Sequence, residues 1–114
     1  MKLSKIQEKA IKDALRQITI AKQFDNWMEY AAHDCNVDIK EVKADPDEYK
    51  WIIKYWEKHR QGDVLCSAGK PTIEALIKKG IFSSPEYSYH RHSGVIDWVH
   101  VNDYEELMNE VAGA

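Results

Sequence analysis

A chain of 114 residues, 44% hydrophobic and 31% charged, has the size and balance of one globular domain, enough to bury roughly 65% of its unfolded surface. The formal net charge of −3 and a pI near 5.9 exclude a surface covered in phosphate-binding cations, and the alternating charged and apolar residues after Met1 exclude a signal peptide or membrane span. The expected location is therefore cytoplasmic, and Cys35 and Cys66, with no Cys-x-x-Cys spacing, suit two reduced core thiols rather than a disulfide or a zinc site.

Leu3, Ile6, Ala10, Ile11, Ala14, Leu15, Ile18 and Ala21 recur at helical spacing, and Ser4 with Gln7 forms a capping box, which predicts a first helix over about residues 5 to 22. Asn26 and Glu29 repeat the pattern before Trp27, Tyr30 and Ala31, predicting a short helix that fades near Asn36. Val37 to Ala44 reads as a loop or a fragment of helix. Asp45-Pro46-Asp47-Glu48 is the strongest start signal: Asp45 can cap, Pro46 suits the first helical position and Glu48 can reach back. The helix it predicts runs to about Arg60, with Tyr49, Ile52, Ile53 and Trp56 as its apolar stripe, widened by Trp51 and Tyr55, and with Gly62 as a left-handed cap.

Asp63-Val64-Leu65-Cys66 reads as a small strand, Ser67 to Lys70 as a turn, and Pro71 to Gly80 as the next helix. Strand signals follow, with Ser83-Ser84-Pro85 interrupting the first strand, Tyr87 to His90 resuming it, Ser93-Gly94 as a turn and Val95 to Val101 as the second strand. Asn102-Asp103-Tyr104-Glu105 predicts a final cap, and Tyr104, Leu107, Met108 and Val111 a short amphipathic helix. The expected architecture is α+β in a single domain over 1–114: a helical part over about 4–61, a helix plus β-hairpin wing over about 63–101 and a C-terminal helix over about 103–111.

Charge is uneven. Residues 1–24 carry six basic and two acidic side chains, whereas residues 102–114 carry four acidic and none basic. The basic first helix either touches phosphates or lies against the acidic C-terminal helix.

Thr72-Ile73-Glu74-Ala75-Leu76-Ile77-Lys78-Lys79-Gly80-Ile81, a short helix that stops at Gly and enters a hairpin, resembles the junction of recognition helix and wing in winged-helix proteins. With the opening Leu3-Ser4-Lys5-Ile6-Gln7 it is also similar to small proteins carried by phages and other mobile elements. The resemblance covers about ten residues strictly and about 35 with the hairpin. It implies that Lys70, Thr72, Ala75 and Lys79 face a DNA major groove with Lys78 beside them, and that Arg91 and His92 meet the backbone at the wing tip. The chain departs from that family in three ways: Glu74 lies on the candidate surface, the helix has no Arg, and a strand and a turn separate it from the preceding helix.

The remaining motifs carry little chemistry. His90-x-His92 has a metal-ligand spacing but lacks a third ligand, and His33-Asp34-Cys35 are neighbours on a helix that point in different directions. Ser67-Ala68-Gly69-Lys70 lacks the spacing of a phosphate loop. No catalytic residue, metal or cofactor is expected. Trp51 and Tyr55 lie off the main stripe and form either a second packing face or a patch for a homodimer or another protein partner. The leading expectation is a small non-enzymatic DNA-binding or regulatory protein of winged-helix type, phage-derived by the resemblance, with double-stranded DNA as its ligand. The alternative is a protein-interaction module, such as an inhibitor of a host factor.

Overall fold

The computed structural model describes residues 2–87 and 95–112. They form an α+β structure of six α-helices and one antiparallel sheet of three strands in the order β1-β3-β2. The helices are α1 (Lys5–Lys22), α2 (Trp27–Cys35), α3 (Ile39–Ala44), α4 (Ile52–Arg60), α5 (Lys70–Lys78) and α6 (Tyr104–Leu107), and the strands are β1 (Asp63–Leu65), β2 (Phe82–Tyr87) and β3 (Ile96–Val101). A 3-10 turn spans Pro46–Glu48 and a π-helical turn spans Met108–Ala112.

α1 forms where its signals place it. Ser4 Oγ accepts from the Gln7 amide and the Gln7 side chain accepts from the Ser4 amide, which pairs two donors that the helix start leaves without partners. Its buried side joins two cores. Ala10, Ile11, Ala14, Leu15 and Ile18 meet Val64, Ile73, Leu76, Phe82, Val99 and Val101, while Ala21 meets Tyr30, Ala31, Val42 and Ile52. Each fully buried Ile or Leu stabilises the fold by about 1.5–3 kcal/mol.

The edge strand β1 is paired on both sides. β3 takes one side, with Val64 opposite Val99. On the other, Gln17 of α1 donates from Nε2 to the Leu65 carbonyl and accepts at Oε1 from the Leu65 amide, both at 2.9 Å. A short strand edge is thereby closed without another strand. Gly62 enters β1 at φ +97°, and a Cβ there would stand 3.0 Å from His100 Cε1. The positive φ favours glycine, and any side chain there would also have to displace the His100 ring.

Of the two forms expected after Val37 the chain takes the helical one, because the Asp38 side chain accepts from the Lys40 amide at 2.8 Å. Four local expectations need correction. The strong start at Asp45 produces only the 3-10 turn: Asp45 makes no side-chain cap bond, Asp47 pairs with Lys50 instead, and α4 begins six residues after Pro46, at Ile52. Asn102 braces the sheet rather than capping α6, donating to the Gly80 carbonyl and accepting from Ser83 Oγ. The C-terminal helix ends at Leu107 and widens into the π-helical turn. Strand β2 runs through Ser84, which takes φ +49° as its register against β3 shifts, and the predicted turn at Ser93-Gly94 lies outside the described residues.

Leu76 is 0% exposed beneath α5. Leu76→Ala is expected to lower the unfolding free energy by about 2–5 kcal/mol through the lost contacts and the cavity left behind, read from the shift of the urea midpoint. A change below about 0.5 kcal/mol, the usual size of a surface substitution, would contradict this packing.

Candidate functional site

The residues assigned to the major groove share one helix but not one free cationic face. Helix α5 buries Ile73 and Leu76, half-buries Ile77, and turns Pro71, Glu74 and Lys78 outward. Lys70 Nζ stands 4.0 Å from Glu74 Oε1 and 6.0 Å from the centre of the Tyr87 ring. Lys79 Nζ donates to the Lys2 carbonyl at 3.0 Å. Thr72 is half-buried, and Ala75 lies in a shallow groove with Pro85 and Tyr87 of β2. Lys78 is exposed and in no ion pair among the described residues. Arg91 and His92, and with them the His90-x-His92 pair, lie outside the described residues. The element before α5 is β1, and the helix that α5 packs against is α1.

The assigned partner residues, by contrast, belong to an extended array. Trp51 immediately precedes α4, and its spacing to Tyr55 and Lys58 sets all three on one helical face. The Trp51 and Tyr55 rings meet edge to face with centroids 5.8 Å apart. Tyr55 then lies 5.6 Å from Trp98 of β3, and Trp98 lies 5.6 Å from His59. Lys58 Nζ sits over the Trp98 ring at 4.0 Å and pairs with Glu86 of β2 at 3.2 Å. Trp51 remains 56% exposed at the outer end. Aromatic pairs of this geometry contribute about 0.5–1.5 kcal/mol each beyond their burial, so the array holds its own outer ring in place.

Trp98 was not legible as a site residue, because in a strand rich in β-branched and aromatic side chains it reads as core. Between Trp98, which faces Glu86, and Ile96, which faces Tyr87, β3 carries one extra residue, Asp97. That bulge lets Ile96 join Val99 and Val101 on the buried side while Trp98 and His100 share the side toward α4. The alternation of Trp98 and His100 with Val99 and Val101 was the available signal.

The histidines separate by environment. His59, 5% exposed, is held below the ordinary imidazole range by burial, against the opposing pull of its bond to the Asp63 carbonyl. His100 Nδ1 stands 3.0 Å from Asp63 Oδ1. Of the His33-Asp34-Cys35 run, His33 and Asp34 border a cleft against α1 while Cys35 packs into the second core. Among the described residues no three His, Cys, Asp or Glu side chains converge as a metal site. No helix there is long and apolar enough to cross a membrane.

No protein-family model, curated protein or solved structure matches this chain.

The depressed His59 pKa has a defined sign. An unfolded chain takes up the proton near pH 6.5 while the folded one does not, so the contribution is complete above that pH and is lost as the pH falls toward the lower folded value. The thermal midpoint is expected to decline as the pH falls below about 6.5, and His59→Asn, which keeps a donor for Asp63, is expected to flatten that decline. An unchanged slope in the variant would contradict the assignment.

Proposed function

We propose that this protein is a protein-interaction module whose docking face is the Trp51–Tyr55–Trp98 array. The observation that carries the reading is the exposure of Trp51, which is 56% accessible while its ring is held edge-on against Tyr55. Trp and Tyr are the side chains most enriched at binding hot spots, and an aromatic ring already fixed in place loses little rotamer freedom when a partner covers it. The flanking charges are balanced: Lys50 is paired with Asp47 and Lys58 with Glu86. A balanced rim around an apolar centre suits a second copy of the same face, since a two-fold contact places each patch against itself. It suits a nucleic-acid strand less well, because two of the three α4-side lysines, Lys50 and Lys58, are already paired and Lys54 alone of them is in no ion pair among the described residues.

Duplex binding in the manner of a winged helix is the second reading. It is favoured by the run of α5 into the β2–β3 hairpin of a β1-β3-β2 sheet. Against it stand the contacts of Lys70 with Glu74 and of Lys79 with Lys2, which leave Lys78 as the uncommitted cation of α5.

Sedimentation of the parent chain and of Trp51→Ser distinguishes the readings. The parent is expected to show concentration-dependent dimerisation, and Trp51→Ser is expected to be monomeric and to remain folded, with stability lowered by no more than the lost Trp51–Tyr55 contact. Random duplex DNA is expected not to bind at about 50 mM salt, where phosphate attraction is strong. A strictly monomeric parent that binds duplex, with a salt slope near −0.9 per phosphate neutralised and with loss on Lys78→Glu, would replace the first reading with the second.

A further inference from the structure

The cleft between α1, α2 and the end of α4 holds groups that neither the docking face nor the α5 surface uses. Its volume is about 470 Å³, and Arg16, Tyr30, His33, Asp34, His59 and Cys66 contribute to its walls. That size lies within the range of small-molecule sites. Tyr30 and His59 are each only 5% exposed. His59 Nδ1 lies 2.8 Å from the Asp63 carbonyl, and since a carbonyl only accepts, the proton sits on Nδ1 and Nε2 is an acceptor. Among the described residues, neither His59 Nε2 nor Tyr30 Oη has a hydrogen-bond partner, yet no buried side-chain polar atom is left unpaired. Both atoms therefore keep some accessible surface, and both residues line this cleft. These two offer one donor and one acceptor to a molecule that enters.

The surrounding charges narrow its chemistry. Burial, reinforced by the Asp34 carboxylate, pushes the Tyr30 phenol up to about 12, so it stays a donor at neutral pH. Burial pushes the Cys66 thiol up to about 11, which leaves it neutral and poorly nucleophilic. Arg16 is exposed on α1 and supplies a fixed cation at the rim. Asp34, also exposed at the rim, disfavours a second negative group.

We infer that the cleft binds a small organic monoanion that carries a hydroxyl group, its carboxylate on Arg16 and its hydroxyl accepting from Tyr30 Oη while donating to His59 Nε2. The two polar contacts hold the buried end of the ligand and the guanidinium holds the open end. The His59 ring also lies 5.6 Å from Trp98, so occupancy reaches the indole fluorescence of the docking face.

A titration of the intact chain with 4-hydroxybenzoate, followed by amide chemical shifts and by indole fluorescence, tests this. Saturable binding is expected, with shifts centred on α2 and β1. Benzoate, which lacks the hydroxyl, and 4-hydroxybenzamide, which lacks the charge, are each expected to bind about tenfold more weakly. Tyr30→Phe keeps the buried ring and removes only the unpaired oxygen, so it is expected to fold normally and to bind 4-hydroxybenzoate about tenfold more weakly. Arg16→Gln, at an exposed position, is expected to do the same. Absence of saturable binding, equal affinity for the three probes, or an unchanged affinity in a folded Tyr30→Phe would each overturn the inference.

Discussion

The whole molecule depends on the burial of one side of α1. Its Ala10, Ile11, Ala14, Leu15 and Ile18 close the core against β1, α5 and β3, and one turn further on Ala21 closes the second core against α2 and α4. The short side chains of Ala10, Ala14 and Ala21 set how near the neighbouring elements come. Polar contacts reinforce the same helix: Gln17 closes the edge of β1, the Trp56 indole donates to the Ala21 carbonyl at 3.2 Å, and Thr19 meets the Tyr104 hydroxyl while Lys22 lies over the Tyr104 ring. The contact between α1 and the acidic C-terminal segment is thus made by Thr19, by Lys22 over the Tyr104 ring and by apolar packing of Leu107 and Met108, with no ion pair between them among the described residues. The basic residues Lys5, Lys9, Lys12 and Arg16 remain on the exposed side.

Because α1 fixes α4 and β1 together, the surface they share is fixed as well. Tyr55, Lys58 and His59 of α4 meet Trp98 of β3, and Trp51 extends the array beyond the helix start. His59 joins the two faces of this region, stacking on Trp98 and also bordering the cleft against α1 and α2. A docking surface built in this way exists before a partner arrives, and the ordering cost that flexible aromatics would incur on binding is met by folding.

Where local chemistry decides structure, the sequence was readable. The Ser4–Gln7 box, the left-handed Gly62 and Gly80, and the apolar spacing of α1 and α5 all act within a turn or two, and the bounds of both helices follow from them. Competing contacts hid the rest. Asp45 and Pro46 signal a helix, but Asp47 turns to Lys50 and the helix waits until Ile52. Asn102 looks like a cap until Gly80 and Ser83, twenty-two and nineteen residues earlier, claim its side chain. Trp51 and Tyr55 stood out because they fall off the apolar stripe, whereas the alternation that turns Trp98 toward them is masked by the bulge at Asp97, which sends Ile96 to the buried side. The cleft is drawn from α1, α2, α4 and β1, so its residues share no local pattern. The cations of α5 were visible in sequence, but their engagement by Glu74 and the Lys2 carbonyl was not.

The claim that most of this rests on is that Trp51 is exposed yet fixed. Nitrogen-15 relaxation of the tryptophan indole groups in the free protein measures it directly, because Trp51, Trp56 and Trp98 each carry one Nε1–H. A preorganised array predicts order parameters near about 0.85 for Trp51 and Trp98, comparable to Trp56, whose indole is hydrogen-bonded within the fold. A value below about 0.6 for Trp51 would show a ring that samples solvent freely, and would contradict the account.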